Sequence, residues 1–410
     1  ARSYHPMQRT TAPLDLAAVE KVLQPYDRAL TLPGEAYASP EVFAWEQAHL
    51  FEGSWSCVGR TADLDLAAPG DQVAIQVGRQ SFLLVRGDDL AVRVFHNICR
   101  HRGHELLDVG ERRNQRGIRC PYHAWVYGLD GDLRATPRFN MDSLDKADFP
   151  LVEARAAEWR GWLFVNASGD APELAAYLGN LDIVVDGYEP EALTIGARHE
   201  YELAANWKIA VENYCECYHC SEIHPELCRV TPPDSDLAYP ERSSGVWLGG
   251  PMELLDHADT MSLTGASDGV PIPGLPAEKL RQVGYSVVFP NLLISPHPDY
   301  VMTHRIVPLA ADRTWVECAW YFPQEAFAKA GFSPNYATEF WDITNREDWE
   351  ACESVQRNVT SPGYRPGPFS YWEVDVFRMQ ATIARAYIEG HLSPPEHGYV
   401  DGVGRGLSGF

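Results

Sequence analysis

Cys99-Arg-His101 and Cys120-Pro-Tyr-His123 each offer one thiol and one imidazole, and eighteen residues separate the two runs. Two thiolates suit one iron of a two-iron cluster, and two imidazoles suit the other. Zinc also accepts two Cys and two His, although zinc fingers pair Cys with Cys and His with His. Short β-like runs surround the pairs: Ser54 to Val58, Gln72 to Val77, Ser81 to Arg86, Leu90 to Asn97 and Ala124 to Tyr127. Asp130-Gly131 is a strong hairpin turn. The pairs are therefore expected at the tips of adjacent β-loops.

Working outward, Ser39-Pro40-Glu41 reads as an N-cap with proline at the first helical position. Gly161-Trp-Leu-Phe-Val-Asn166 closes the β region, and a helix-rich stretch is expected from there to about residue 230. Some fifty residues dense in Pro, Gly, Ser and Asp follow. Thr231-Pro-Pro-Asp-Ser and Gly269-Val-Pro-Ile-Pro-Gly-Leu-Pro276 leave no room there for regular structure, and such a segment is expected to act as a lid over a pocket. Apolar β-like runs return from Gly284 to Phe322, and the last ninety residues read as helical. Tyr285, Phe289, Tyr300, Trp320 and Tyr321 fall in that β-rich stretch, where aromatic faces could hold a cation, although packing in the core is the commoner role.

Composition narrows the function. The chain has 410 residues, of which 45% are hydrophobic, enough for two or three domains with buried cores. A net charge of −23 argues against a nucleic-acid partner, which needs basic side chains to neutralise phosphates. One basic island interrupts the acidity: Arg93, Arg100, Arg102, Arg112, Arg113, Arg116 and Arg119 stand against Glu105, Asp108 and Glu111, as a solvated face or as a docking surface for an acidic electron donor. Neither a signal-peptide pattern nor an apolar run long enough to span a bilayer is present, so a soluble cytoplasmic protein without a membrane partner is expected. Nine cysteines, four of them crowded at Cys215, Cys217, Cys220 and Cys228, suggest reduced thiols rather than a disulfide framework.

A second metal site is legible around Glu212-Asn213-Tyr214-Cys215-Glu216-Cys217-Tyr218-His219-Cys220 and His224-Pro225. Glu216 and His219 would share a helix face. Pro225 pushes His224 out of helical geometry, so a helix that ends or bulges between the histidines would let both reach one ion. Two imidazoles and one carboxylate with open positions form the facial triad of non-haem Fe(II) oxygenases. Zinc on the clustered cysteines and His219 is the competing arrangement.

Together these segments resemble the α subunit of a Rieske non-haem iron oxygenase, a ring-hydroxylating oxygenase family, along nearly the whole chain. The second loop, Cys-Pro-Tyr-His-Ala-Trp, is similar to the Rieske loop, and the disulfide cysteines of respiratory Rieske proteins are missing from both loops. The resemblance implies an α+β fold in three parts: a helical segment over 1–51 packing on the catalytic domain, an all-β Rieske domain over 52–168, and a catalytic domain over 169–410 with a central antiparallel sheet covered by helices. It implies Cys99, His101, Cys120 and His123 as [2Fe–2S] ligands, and His219 and His224 as ligands of a mononuclear Fe(II).

The run Asn345-Arg-Glu-Asp348-Trp-Glu-Ala-Cys-Glu353-Ser-Val-Gln356 resembles the family's late helix and implies Asp348 as third ligand, with Glu347 the competitor. Glu216 and Asn213 are implied as catalytic residues. Glu216 matches the acid that links cluster and iron across a head-to-tail homotrimer. A glutamate at that point, within a Glu-Asn-Tyr-x-Glu-Cys-Tyr-His-Cys run, is most similar to the quaternary-ammonium oxygenase and demethylase branch. The implied activity is hydroxylation of a small organic substrate with O2 and with NAD(P)H electrons from a separate reductase, with or without a ferredoxin. Oxidative N-demethylation of a betaine-like amine is the first expectation. An aromatic-ring (di)oxygenase α subunit, or a Rieske electron carrier without oxygenase chemistry, are the alternatives.

Overall fold

The computed structural model describes residues 8–139 and 144–396, and the chain divides into two compact units. One covers Gln47–Ala171, and the other joins Gln8–Glu46 to the chain from Pro172 onward.

The first unit is built from antiparallel strands in three small sheets. A four-stranded sheet runs in the order Val92–His96, Gln80–Arg86, Asp71–Val77, Arg112–Asn114. Ser56–Arg60, Trp162–Asn166 and Arg155–Trp159 form a second, and Ile118–Arg119, Val126–Tyr127 and Leu133–Ala135 a third. Gly131, at φ 87, makes the turn between the last two strands, as Asp130-Gly131 predicts. Cys99 and Cys120 are themselves core residues, packed with Phe95, Leu106, Trp125 and Tyr127. The arginine island is largely answered within this unit: Arg93 pairs with Asp89, Arg112 with Asp65, Arg113 with Gln72, and Arg100 with the Pro150 carbonyl.

In the second unit a six-stranded antiparallel sheet runs in the order Thr194–Leu203, Arg313–Phe322, Val301–Ala310, Leu292–Pro296, Gln282–Val288, Trp247–Glu253. Every residue of Leu292–Pro296 is buried, the mark of a strand covered on both faces. Phe289, Tyr300, Trp320 and Tyr321 are core residues. The helix Asn335–Asn358 buries Ala337, Phe340, Trp341, Thr344, Asn345 and Cys352, a three-to-four spacing that gives one apolar stripe. The second unit also holds a buried ionic knot. Glu46 accepts from Lys208 Nζ (2.6 Å), Trp207 Nε1 (2.8 Å) and Tyr387 Oη (2.5 Å), and Lys208 also donates to Asn206 Oδ1. A charge pair removed from water is tolerated when its hydrogen bonds are all answered in this way.

Two expectations need correcting. Thr194–Leu203 is an edge strand inside the stretch expected to be helical, because alternating Arg198, Glu200 and Glu202 can stay wet while Leu203 is buried. Trp247–Glu253 is a strand within the Pro/Gly-dense region, where Gly249 and Gly250 let it lie against Tyr285 and Ser286. Hydrogen bonds hold that region: Asp299, 1% exposed, accepts from Thr260, Ser267 and Tyr336, Arg281 donates to the carbonyls of Leu254, Leu255 and Ala258, and Ile272 N donates to Pro298 O. The tail of the chain expected to be helical is so over Asn335–Asn358 and Val374–Glu389, and 397–410 lie outside the described residues. No helix among the described residues is long and apolar enough to cross a membrane.

Candidate metal centres

The two Cys/His loops close with the same hydrogen bonds. Cys99 N donates to His104 O and Gly103 N to Cys99 O, while Cys120 N donates to Trp125 O and Ala124 N to Cys120 O. The fourth residue past each cysteine takes positive φ, 76° at Gly103 and 57° at Ala124, so the chain turns back at the same point twice. These turns bring the imidazoles of His101 and His123 together, with ring centroids 4.6 Å apart. The thiols of Cys99 and Cys120 interact directly, and burial first, then that neighbour, raises the Cys99 thiol, while Tyr127 pulls it down. His101 Nδ1 is buried with no partner among the described residues, the condition of an atom that serves as a ligand. Two facing thiols beside two facing imidazoles fit a two-iron cluster.

Two supporting residues escaped the sequence reading. Tyr127 Oη lies 3.3 Å from Cys99 Sγ and accepts from Arg100 N at 3.0 Å. The Trp125 ring stacks on His101 at 4.8 Å. Both sit just past the Cys-Pro-Tyr-His run, and only their strand register could have marked them.

In the second unit Asn206 caps the helix Trp207–Tyr214 by accepting from Lys208 N. The helix stops at Cys215, and a short turn Cys220–Ile223 follows, with His219 and His224 at its two ends. The expected helix end between the histidines is that of the short turn, at His224, while the longer helix already breaks before His219; Glu216 and His219 therefore do not share a helix face but meet in that break. Asp348 approaches from the helix Asn335–Asn358. His219, His224 and Asp348 bring donor atoms within 4.8 Å of one another, and among the described residues they are the group that could hold a metal ion. Asp348 Oδ1 lies 3.3 Å from His219 Nε2 and 2.8 Å from His224 Nε2.

The other ring nitrogens are also answered. His219 Nδ1 donates to Glu216, and His224 Nδ1 donates to Glu347 Oε2 at 2.7 Å. Each carboxylate fixes the tautomer that turns Nε2 toward the shared point. Glu347, the competitor for third ligand, is therefore a partner of His224, not part of the trio. The Asn213 side chain makes no hydrogen bond among the described residues, so nothing in its contacts gives it the catalytic role.

Burial alone would lower the His219 imidazole, but Asp348 and Glu216 outweigh it and raise it to about 10. His224 is raised for the same reason, by Asp348 and Glu347 against burial. Burial would raise the Asp348 carboxyl, yet the two imidazoles hold it below its ordinary value. The site favours positive charge, whether carried by protons or by a metal ion, so metal binding must displace protons. Zinc on the clustered cysteines does not fit: Cys217 and Cys220 are joined by a disulfide, contrary to the expected reduced thiols, and Cys228 Sγ donates to Cys220 O. The spacing of three that places Cys220 one turn past Cys217 also brings their Cα atoms to 4.9 Å. A pocket of about 520 Å³ between Pro33–Ser39 and Val359–Pro366 contains none of the triad.

Fold and donor sets define a Rieske-type non-haem iron oxygenase. Residues 54–147 match the Rieske [2Fe-2S] domain family, and 190–389 match the ring hydroxylating alpha subunit (catalytic domain). The carnitine monooxygenase oxygenase subunit of Acinetobacter pittii is 36% identical over 85% of this chain and 92% of its own. The glycine betaine monooxygenase oxygenase subunit of Chromohalobacter salexigens is 30% identical, covering 83% and 82%. A solved quaternary ammonium Rieske monooxygenase superposes with TM-score 0.74 at 25% identity, over 92% of this chain and all of that one. The chain belongs to the Rieske non-haem iron oxygenases of the ring-hydroxylating α-subunit family, and is an oxidoreductase.

Proposed function

We propose that this chain is the oxygenase component of a monooxygenase acting on a quaternary ammonium compound, by oxidative N-demethylation of a betaine-like substrate. The observation that carries this reading is the charge around the triad. Asp236 keeps solvent contact, but the protein packed about it, and then the carboxylates of Asp375, Asp234 and Glu216, push its carboxyl up to about 6. Burial and Glu216 likewise raise Glu373. Asp375 pairs with Arg378 at 2.9 Å, while no lysine or arginine pairs with Glu216, Asp236 or Glu373 among the described residues. A carboxyl raised by like-charged neighbours is relieved by a cation, and an arene supplies none. The relatives named for glycine betaine and carnitine support the same substrate class.

In this reading Cys99, His101, Cys120 and His123 hold the [2Fe–2S] cluster within a Rieske domain, and His219, His224 and Asp348 hold Fe(II). When bound, the cluster relays single electrons and the iron activates O2. Glu216 and Glu347 keep the two ligand imidazoles oriented, and Glu216 stands where electrons arrive from the cluster of a neighbouring subunit in a homotrimer. A separate cytoplasmic reductase supplies electrons from NAD(P)H. One oxygen atom enters an N-methyl C–H bond to give an N-hydroxymethyl group, and the second is reduced to water with two electrons and two protons; the C–N bond of the carbinol then breaks, its electron pair staying on nitrogen and the hydroxyl proton going to solvent, so that formaldehyde and the tertiary amine leave. The test is O2 uptake and formaldehyde release by the purified oxygenase with a reductase and a panel of betaines and arenes. Turnover of arenes with no response to any quaternary ammonium compound would sink this reading in favour of a ring dioxygenase.

A further inference from the structure

Two buried imidazoles of the second unit each keep one nitrogen that no group among the described residues answers. His297 is fully buried after the strand Leu292–Pro296; its Nδ1 lies 2.8 Å from Ser295 O, and its Nε2 has no partner among the described residues. His304, 3% exposed in the strand Val301–Ala310, places Nε2 at 3.1 Å from Asn345 Oδ1, while its Nδ1 is unanswered. Asn345 is oriented by its own Nδ2, which faces Cys318 Sγ. A carbonyl oxygen and an amide oxygen only accept, so the nitrogen facing each must carry the proton. Burial lowers both imidazoles, His297 to about 3, and keeps the rings neutral. Both unanswered nitrogens are therefore bare lone pairs, and buried acceptors of that kind are normally satisfied.

These two rings end a connected row. His297 meets Trp341 edge-on at 5.5 Å, Trp341 meets Tyr285 at 6.4 Å, Tyr285 meets Tyr214 at 5.8 Å, and Tyr214 meets His304 at 5.8 Å. Tyr214 closes the helix that leads to His219, and Asn345 lies one turn before Asp348. Tyr214 and Tyr285 stay only half-buried although they lie between sheet and helices.

We infer that His297 and His304, with the ring faces of Tyr214, Tyr285 and Trp341, seat the cationic head of a quaternary ammonium substrate. The inference rests on the substrate class proposed above and assigns residues to it. A quaternary ammonium spreads its charge over methyl hydrogens and has no N–H to donate. It is held by π faces and by neutral lone pairs, and an imidazolium in the same place would repel it. Protonated and neutral states of a histidine thus differ in sign toward this ligand, and the hydrogen bonds to Ser295 and Asn345 select the attractive one.

The test uses the holoenzyme and two matched pairs: glycine betaine against its uncharged isostere 3,3-dimethylbutyrate, and choline against 3,3-dimethylbutan-1-ol. Kd is read by calorimetry or by competition in turnover. The wild type is expected to bind one charged member about tenfold or more tightly than its isostere, the range of one desolvated cation–π contact. His297→Leu and His304→Leu, which remove both the lone pair and the ring, should each narrow that ratio about threefold or more, with the isostere bound as before and the Rieske visible spectrum unchanged. His297→Gln and His304→Gln, which keep an acceptor, should restore most of it. If a His→Leu variant does not fold, Tyr285→Leu must narrow the ratio in its place. An unchanged ratio, or equal weakening of both members, overturns the inference while the substrate class stands. A wild type that neither binds nor oxidises any quaternary ammonium compound overturns the substrate class and this inference with it.

Discussion

The loops at 99–104 and 120–125 close on hydrogen bonds between residues four and five apart, whereas the triad joins His224 to Asp348 across 124 positions. In the first region each ligand pair is placed by its own turn, and only the meeting of two turns is tertiary. In the second, a helix end, a short turn and a distant helix must all be in place before three donor atoms converge. Local turns leave their mark in short sequence runs. Convergence across a fold leaves almost none, and that difference predicts how each site should fail.

The largest effects come from removing one ligand in each region. His219→Ala is expected to abolish turnover and mononuclear iron content while the Rieske visible spectrum persists. Cys120→Ser should do the reverse, losing the spectrum and turnover but keeping the iron. Retained turnover in His219→Ala would remove that residue from the iron site. Co-expression of the two dead variants then sharpens the contrast: if the chain forms the proposed trimer and electrons pass from one subunit's cluster to another's iron, mixed assemblies should regain measurable activity. Complete inactivity of the mixture, with mixed assemblies confirmed, would place the transfer within one subunit.

A smaller loss is expected from Glu347→Gln, which leaves all three donors but removes the carboxylate behind His224. Iron affinity should fall roughly 10- to 100-fold, measured by competition with a chelator, as for other partners of metal-bound imidazoles. No change in affinity would make Glu347 a bystander.

The smallest effect concerns Glu212, one turn before Glu216. Burial first pushes its carboxyl to about 7, although Tyr37, Lys208 and Gln380 pull it down. Because the folded value lies above the unfolded one, 4.5, the folded protein holds a proton between those values that the unfolded chain releases, and stability falls as pH rises through that window. Glu212→Gln should therefore raise Tm by a few degrees, roughly, at pH 8 and hardly at all below pH 4.5. An equal gain at both pH values would remove ionisation as the cause.

The same contrast decides what could be read without coordinates. Cys99, His101, Cys120 and His123 were legible as pairs, and Asp130-Gly131 marked its hairpin, since both are short-range patterns. His219 and His224 were legible through Pro225, which ends the short helical turn at His224. Asp348 was reached through the resemblance of its helix, because nothing local separates it from Glu347; which of the two turns toward His219 depends on how that helix rolls against its neighbours. Thr194–Leu203 was missed because an edge strand with polar alternate residues has the composition of an exposed helix. The pairing of Cys217 with Cys220 was missed because the count of cysteines was weighed and their spacing of three, which brings the Cα atoms together in a turn, was not. His297 and His304 carry no sequence signal at all, since an unanswered nitrogen is a property of the finished packing.

The ionic knot of Glu46 with Lys208 and Tyr387 sets an order of assembly. Glu46 leaves the ribosome early, and its last partner is 341 residues further on. Until Tyr387 has been made, the acid and the lysine of the second unit have an incomplete set of partners, so the helix that leads to His219 cannot reach its final stability during synthesis. The β-rich unit, whose strands lie between Gln47 and Ala171, has no such debt and can close first. Pulse-labelled hydrogen exchange on arrested chains should show the cluster loops protected well before the residues around Lys208, so that the electron relay exists before there is a centre to receive the electrons.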